Sequence, residues 1–179
     1  MQAEPTPSID ALVFETLTPD MYKKFQSFVE ELSPETYRDA TNIPRESFVN
    51  VIYQQLSRRT TVIVGKKAND VISFGMLTVS KSLSSNHNRE ARIAGLIVRT
   101  DLQGRGIGSL TVKQLLKIAE GRGCRKVTLL VLKNNKAVIK FYQKHGFKIT
   151  KEKQLLNADG ENTAVNLYEM EKTTPRPTN

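Results

Sequence analysis

Gln103-Gly104-Arg105-Gly106-Ile107-Gly108 carries the first chemistry of this chain, lying between an apolar run, Ile93 to Val98, and a helix-like run, Ser109 to Arg122. A glycine-rich turn that ends a strand and opens a helix leaves backbone N–H groups unpaired at the positive end of the helix dipole. That arrangement suits phosphate or pyrophosphate, and glycine lets the backbone come close to the anion. The pattern G-x-x-x-x-G-K-[ST] is absent, because no Lys-Ser or Lys-Thr follows at that spacing. The dinucleotide pattern G-x-G-x-x-G also fails: Gly108 arrives one residue early, and no acid near residue 124 is placed to hold a ribose. What remains is [QR]-x-x-G-x-[GA], carried by Gln103, Gly106 and Gly108. The competing reading is a glycine-rich helix start without a ligand.

A second segment follows. Lys126 to Leu132 is a nearly continuous apolar run, as expected of a central strand covered on both faces. After it comes Asn134-Asn135-Lys136-Ala137-Val138-Ile139-Lys140-Phe141-Tyr142-Gln143-Lys144-His145-Gly146-Phe147. The two segments together resemble the acetyl-CoA loop and the N-x-x-A-x-x-x-Y-x-x-x-G-F segment of the GCN5-related N-acetyltransferases. They stand in that family's order, with a helix and a strand between them. The resemblance covers roughly residues 10 to 171, with its specific part at about 92 to 147.

The resemblance implies transfer of an acetyl group from acetyl-CoA to a primary amine, directly within a ternary complex and without a metal. It implies that the backbone of Leu96, Ile97 and Val98 pairs with the pantetheine arm like an added strand, with the Val98 N–H as the oxyanion donor. Gln103, Gly104, Arg105, Gly106, Ile107, Gly108 and Ser109 would wrap the pyrophosphate, and Asn134, Lys136, Phe141 and Tyr142 would complete the cofactor site. Asn134 has an alternative role as cap of the next helix. Tyr142 is the candidate general acid for the departing thiolate: its free pKa of about 10 lies near that of a thiol, about 8.5. The alternative is a tyrosine packed under the sheet, as expected of Phe141.

The general base is open. Many relatives carry a carboxylate on the strand before the glycine loop, but here that strand reads Arg92-Ile93-Ala94-Gly95-Leu96-Ile97-Val98. Glu90, an acid of the first helical pair (Glu30, Glu31 or Glu35), or a water chain remains for the task. In the family, the N-terminal helices shape the acceptor pocket. The acids Glu30, Glu31, Glu35 and Asp39 there favour a cationic amine: a lysine side chain, a protein N-terminus, a polyamine or an aminoglycoside. The spacing also resembles glucosamine-6-phosphate N-acetyltransferases, down to a Gly-Cys pair at Gly123-Cys124. Those enzymes carry Glu-Asp where this chain has Ala94-Gly95, while Arg89 and Arg92 are available for a phosphate. A module that binds CoA without catalysis is the alternative of another class.

Around these residues the elements follow from pattern. Ile9 to Thr16 reads as a strand. Thr18-Pro19-Asp20 opens a helix with Met21, Phe25, Phe28 and Leu32 on one face. Residues 33 to 44 read as a polar connector, followed by a helix bearing Phe48, Ile52 and Leu56. Thr60 to Val64 and Val71 to Val79 read as a strand pair joined by Gly65 to Asp70. Lys81 to Arg89 is a polar loop. Arg92 to Val98 is a strand, and a helix follows the glycine loop. After the Lys126 strand, Lys136 to His145 forms a short helix stopped by Gly146. Phe147 to Leu155 and Thr163 to Glu171 are final strands around Asn157-Ala158-Asp159-Gly160. The order β-α-α-β-β-β-α-β-α-β-β matches the α/β fold of the resembled family, a mixed sheet with helices on both faces. In that family the strands preceding the two motifs run parallel and splay, and the cofactor lies in the gap.

A length of 179 residues suits a single domain, here residues 9 to 172, with a loose leader over 1 to 8 and a disordered tail over 173 to 179. The composition, 39% hydrophobic and 25% charged, is ordinary for a soluble globular chain. No stretch spans a bilayer, the N-terminus is not a secretory signal, and a lone cysteine, Cys124, fits a reducing cytoplasm. Two histidines, His87 and His145, have no metal-ligand spacing. The net charge is +9, with eight acids against three bases over residues 1 to 39 and ten bases over 122 to 153. That field favours a polyanionic cofactor; no nucleic-acid motif accompanies it. In many relatives the last strands mediate a homodimer.

Overall fold

The computed structural model describes residues 12–41, 43–80, 89–156 and 164–175. Strand β1 (Leu12–Thr16) leads through a 3-10 turn, Pro19–Met21, into α1 (Tyr22–Glu30), α2 (Pro34–Ala40) and α3 (Arg45–Gln55). Then come β2 (Thr60–Lys67), β3 (Asp70–Ser80), β4 (Arg89–Val98), a 3-10 turn Thr100–Leu102, α4 (Ile107–Gly121), β5 (Cys124–Leu132), α5 (Lys136–Lys144), β6 (Lys148–Leu156) and β7 (Ala164–Thr173). The strands form one mixed sheet in the order β1-β2-β3-β4-β5-β7-β6. β4 and β5 run parallel from Arg89↔Cys124 to Arg92↔Thr128, and β4 continues to Val98. β7 lies antiparallel to both β5 and β6. No helix among the described residues is long and apolar enough to cross a membrane.

The helix that sequence pattern missed is α2. Its start signals are local: Ser33 is an extended N-cap whose side chain accepts the Thr36 N–H, and Pro34 occupies the first turn. Its seven residues bury one large apolar side chain, Tyr37, so no helical periodicity marks it. Gly65 was expected to begin a turn, yet it lies buried inside β2. A Cβ there would sit 2.3 Å from Ser73 Oγ and 3.1 Å from side-chain carbons of Leu12 and Phe14, so close packing demands the glycine. The turn is Ala68-Asn69 instead, with Ala68 at φ 52°.

Contacts gather the chain into two compact units, one of Met1–Gly75 with Gly95–Thr111 and one of Met76–Ala94 with Val112–Asn179. In the first, the apolar faces of α1 and α3 supply an aromatic cluster on β3: Phe25 and Phe48 lie 5.4 and 5.9 Å from Phe74, and Tyr37 stands edge-on to Phe48 at 5.6 Å. In the second, Leu115 and Ala119 of α4, Val127 and Leu129 of β5, Phe147 and Met170 are all buried. Thr173 closes β7, and Thr174 is buried, its hydroxyl donating to the Cys124 carbonyl and its N–H to the Arg125 carbonyl at 3.0 Å. Thr173 and Thr174 therefore belong to the fold rather than to the expected tail, and 176–179 lie outside the described residues. Residues 9–11, the leader, the loop 81–88 and the turn at 157–160 lie outside the described residues.

Candidate active site

The first unit holds the glycine loop. Gly104 and Gly106 have φ of 75° and 84°, the left-handed region that only glycine enters freely. A Cβ at Gly104 would meet nothing within 4 Å. The first intrahelical bond of α4 runs from the Leu110 N–H to the Gly106 carbonyl at 3.1 Å. The amides of Ile107, Gly108 and Ser109 therefore precede the helical ladder and are donors without a helical partner. Gln103, Gly104, Arg105 and Gly106 are exposed. This donor set, unobstructed and at a helix start, fits a pyrophosphate.

The end of β4 is prepared in the same unit. The Arg99 N–H donates to the Ile72 carbonyl of β3 at 2.9 Å. Successive residues of a strand turn their polar groups to alternate sides, so the Val98 N–H and C=O point away from β3. The Gln103 amide donates to that carbonyl at 3.2 Å, leaving the N–H as the free edge group. Ile97 and Val98 are buried as side chains and Leu96 is half-buried.

A groove of about 610 Å³ opens beside this strand end, lined by Glu31, Ser33, Arg99, Thr100 and Asp101. Arg99 forks onto Asp101 with bonds of 2.8 and 3.0 Å and reaches Glu31 at 3.9 Å. The hydrogen bond from Arg99 holds the Asp101 carboxyl below its usual range and raises the guanidinium in return. Of the expected acids Glu30, Glu31 and Glu35, only Glu31 lines the groove among the described residues, and the Asp39 side chain lies outside them. Glu30 accepts the Gln26 amide at 2.9 Å on α1. Glu35 sits on the first turn of α2, where its own backbone N–H and the Ser33 side chain lower its pKa. Arg99, Thr100 and Asp101 escaped sequence reading because nothing in their own segment announces a groove.

The second unit holds the tyrosine segment. Tyr142 is 7% exposed, its ring against Phe141 at 5.1 Å and Phe147 at 5.6 Å. The expected roles of the pair are partly exchanged: Phe141 is only half-buried, while Tyr142 is the packed one. Among the described residues the Tyr142 hydroxyl makes no hydrogen bond. Burial pushes its pKa well above the ordinary 10, so it stands as a neutral donor and a weaker acid than its free value implied. Because the fold favours the protonated form, this contribution to stability is complete below about pH 10 and is lost as pH rises above it. Tyr142→Phe should therefore gain stability relative to the parent between pH 8 and pH 11 in urea unfolding. A constant difference across that range would contradict the burial.

Of the neighbouring asparagines, Asn135 is the cap, accepting the Val138 N–H at 3.2 Å. Asn134 is thereby released from the capping role, and its exposed side chain makes no hydrogen bond among the described residues. Lys136 begins α5 and is exposed. Glu90, the other expected catalytic residue, is half-exposed and bonded to Lys126 at 2.7 Å at the start of β4. Arg89 and Arg92 are engaged with the Arg122 carbonyl at 3.4 Å and Glu169 at 3.8 Å. A Cβ at Gly95 would sit 3.0 Å from the Phe74 ring, so a larger residue there would require the ring to shift.

Residues 20–147 match the model of the Acetyltransferase (GNAT) family. A protein of Methanocaldococcus jannaschii named as an uncharacterized N-acetyltransferase is 39% identical over 66 residues, 36% of this chain and 29% of that relative. Among solved structures, the ribosomal-protein-S18-alanine N-acetyltransferase of Escherichia coli superposes with a TM-score of 0.65 at 17% identity, over 90% of this chain and 93% of that one. Arabidopsis thaliana NAA60, solved with acetyl-CoA, superposes at 0.68 and 16% identity, over 90% and 98%. At such identities the superpositions establish the shared fold.

Proposed function

The chain belongs to the acetyltransferase (GNAT) family, and on that premise we propose that it transfers an acetyl group from acetyl-CoA directly to a cationic primary amine. The observation that carries the reading is the loop: positive-φ glycines at 104 and 106, followed by the unpaired amides of Ile107 to Ser109. Solved relatives named as complexes with acetyl-CoA, and with a CoA-peptide bisubstrate analogue, support the choice of ligand.

Acetyl-CoA supplies an activated thioester and a thiolate leaving group. Gln103 to Ser109 would hold its pyrophosphate through backbone donors, with Arg105 adding charge. The ammonium would first lose a proton to water in the groove, and the Val98 N–H would donate to the acetyl carbonyl oxygen, where negative charge builds as the neutral amine attacks. Leu96 and Ile97 would align the arm by backbone pairing, Asn134 would bond it, and Lys136 and Phe141 would flank it. Tyr142 would donate to the thiolate sulfur. The acceptor class rests on Glu31. Its exposed carboxylate in the groove favours an ammonium or a peptide N-terminus, and the E. coli relative is named for a protein alanine. We place the reaction in the cytoplasm, which a single buried thiol, Cys124, suits.

The test is CoA release with spermidine, a lysine peptide and an alanine N-terminal peptide as acceptors. Glu31→Gln should raise the KM of the amine that works by roughly three- to tenfold, as for loss of one partly exposed charged contact. The kcat and the KM for acetyl-CoA should hold. An unchanged amine KM would remove Glu31 from acceptor recognition.

A further inference from the structure

One hydroxyl joins α2 to the glycine loop. Thr36 Oγ1 lies 3.1 Å from Ser33 Oγ, 3.2 Å from Thr100 Oγ1 and 3.2 Å from Gln103 Nε2. A hydroxyl offers two acceptor sites and one hydrogen, so these partners exhaust it. The ring closes through backbone: Ser33 Oγ accepts the Thr36 N–H at 3.1 Å, and Thr100 Oγ1 accepts the Ser33 N–H at 3.0 Å. Gln103 gives its other amide hydrogen to the Val98 carbonyl at 3.2 Å. One amide nitrogen thus ties the Val98 carbonyl at the end of β4 to Thr36 of α2, and the Thr36 hydroxyl in turn meets Ser33, which caps α2 and lines the groove.

The other anchors of α2 do not involve the loop. The Tyr37 hydroxyl donates to the Ile43 carbonyl at 2.7 Å, and the Arg45 guanidinium covers the Tyr37 ring at 4.7 Å while donating to the Ser33 carbonyl at 3.3 Å. A helix of seven residues cannot persist on its own hydrogen bonds. Its order depends on such external ties.

We propose that Thr36 is a positioning residue that couples occupancy of the Gln103–Ser109 loop to the order of α2, and through Ser33 to the acceptor groove. This rests on the reading of the loop as a CoA site. A ligand that fixes the loop fixes Gln103, and a fixed Gln103 holds its amide on Thr36. Linkage makes the effect reciprocal, so an acceptor that orders α2 tightens CoA by the same factor.

Hydrogen exchange of the full chain, with and without CoA, reads this without an acceptor. The variants are Thr36→Val, which removes the hydroxyl but keeps the branched shape, and Thr36→Ser, which keeps the hydroxyl. CoA should slow exchange over 103–109 in all three proteins. It should slow 34–41 about fivefold in the parent and Thr36→Ser, the equivalent of one hydrogen bond, and leave 34–41 unchanged in Thr36→Val. A purely structural Thr36 would speed exchange of 34–41 equally with and without CoA. Equal CoA protection of 34–41 in Thr36→Val and the parent, or none in the parent, overturns the coupling. Absence of protection at 103–109 in the parent overturns the CoA reading itself. Gln103→Met, which removes the amide at similar length, tests the link from its other end should Thr36→Val fail to fold.

Discussion

Replacing Tyr142 by Phe lowers kcat about 100-fold, the low end of what a positioned proton donor contributes, while the melting temperature at neutral pH and the affinity for CoA stay close to the parent values. The two halves of this expectation come from different features of one side chain. The ring is packed against Phe141 and Phe147, and Phe preserves that packing. The hydroxyl has no hydrogen-bond partner among the described residues, so its removal leaves no buried group unpaired. The loss falls at the low end because burial raises the phenol pKa still further above that of a thiol. Its contribution is then chiefly a hydrogen bond to the developing thiolate rather than early proton transfer. Steady-state kinetics beside a thermal melt checks both halves. A kcat within threefold of the parent would take Tyr142 out of the chemistry, and a large fall in melting temperature would make it a core residue instead.

Replacing Gly106 by Ala weakens CoA binding roughly 10- to 100-fold, read by calorimetric titration. At φ 84° an alanine is strained by about 1–2 kcal/mol, so the backbone relaxes toward negative φ. That rotation turns the adjoining peptide planes and swings the first amides of α4 off the anion, and each charge-assisted bond is worth about 1.5–3 kcal/mol. Gly104→Ala is the informative contrast. It carries similar strain at φ 75° but sits two residues earlier, with open space around its Cβ, so its effect on affinity should be smaller. Equal affinity in Gly106→Ala and the parent would mean that the loop does not hold the pyrophosphate.

Both motif segments could be read from sequence because their chemistry is local. Gly104 and Gly106 announce a left-handed turn, and the apolar runs before them announce strands. What sequence hid was decided by geometry between neighbours or by distant partners. Two adjacent asparagines compete for one cap, and only the turn of the chain gives it to Asn135 and frees Asn134. Phe141 and Tyr142 differ by one step around a helix, which decides that the tyrosine is the buried one. Gly65 looks like a turn glycine until Ser73, Leu12 and Phe14 close on it. α2 is too short to display a face. Its ties to Thr100 and Gln103 join residues 67 positions apart, a relation no local pattern records.

The most direct measurement is release of the CoA thiol from acetyl-CoA by the full chain, with and without a primary amine. The account predicts slow release alone and a saturable increase with a cationic amine, falling about 100-fold in Tyr142→Phe. Acetyl-CoA that binds while no amine in a broad panel stimulates release would make the chain a CoA-binding module, and failure to bind acetyl-CoA at all would contradict the account at its root.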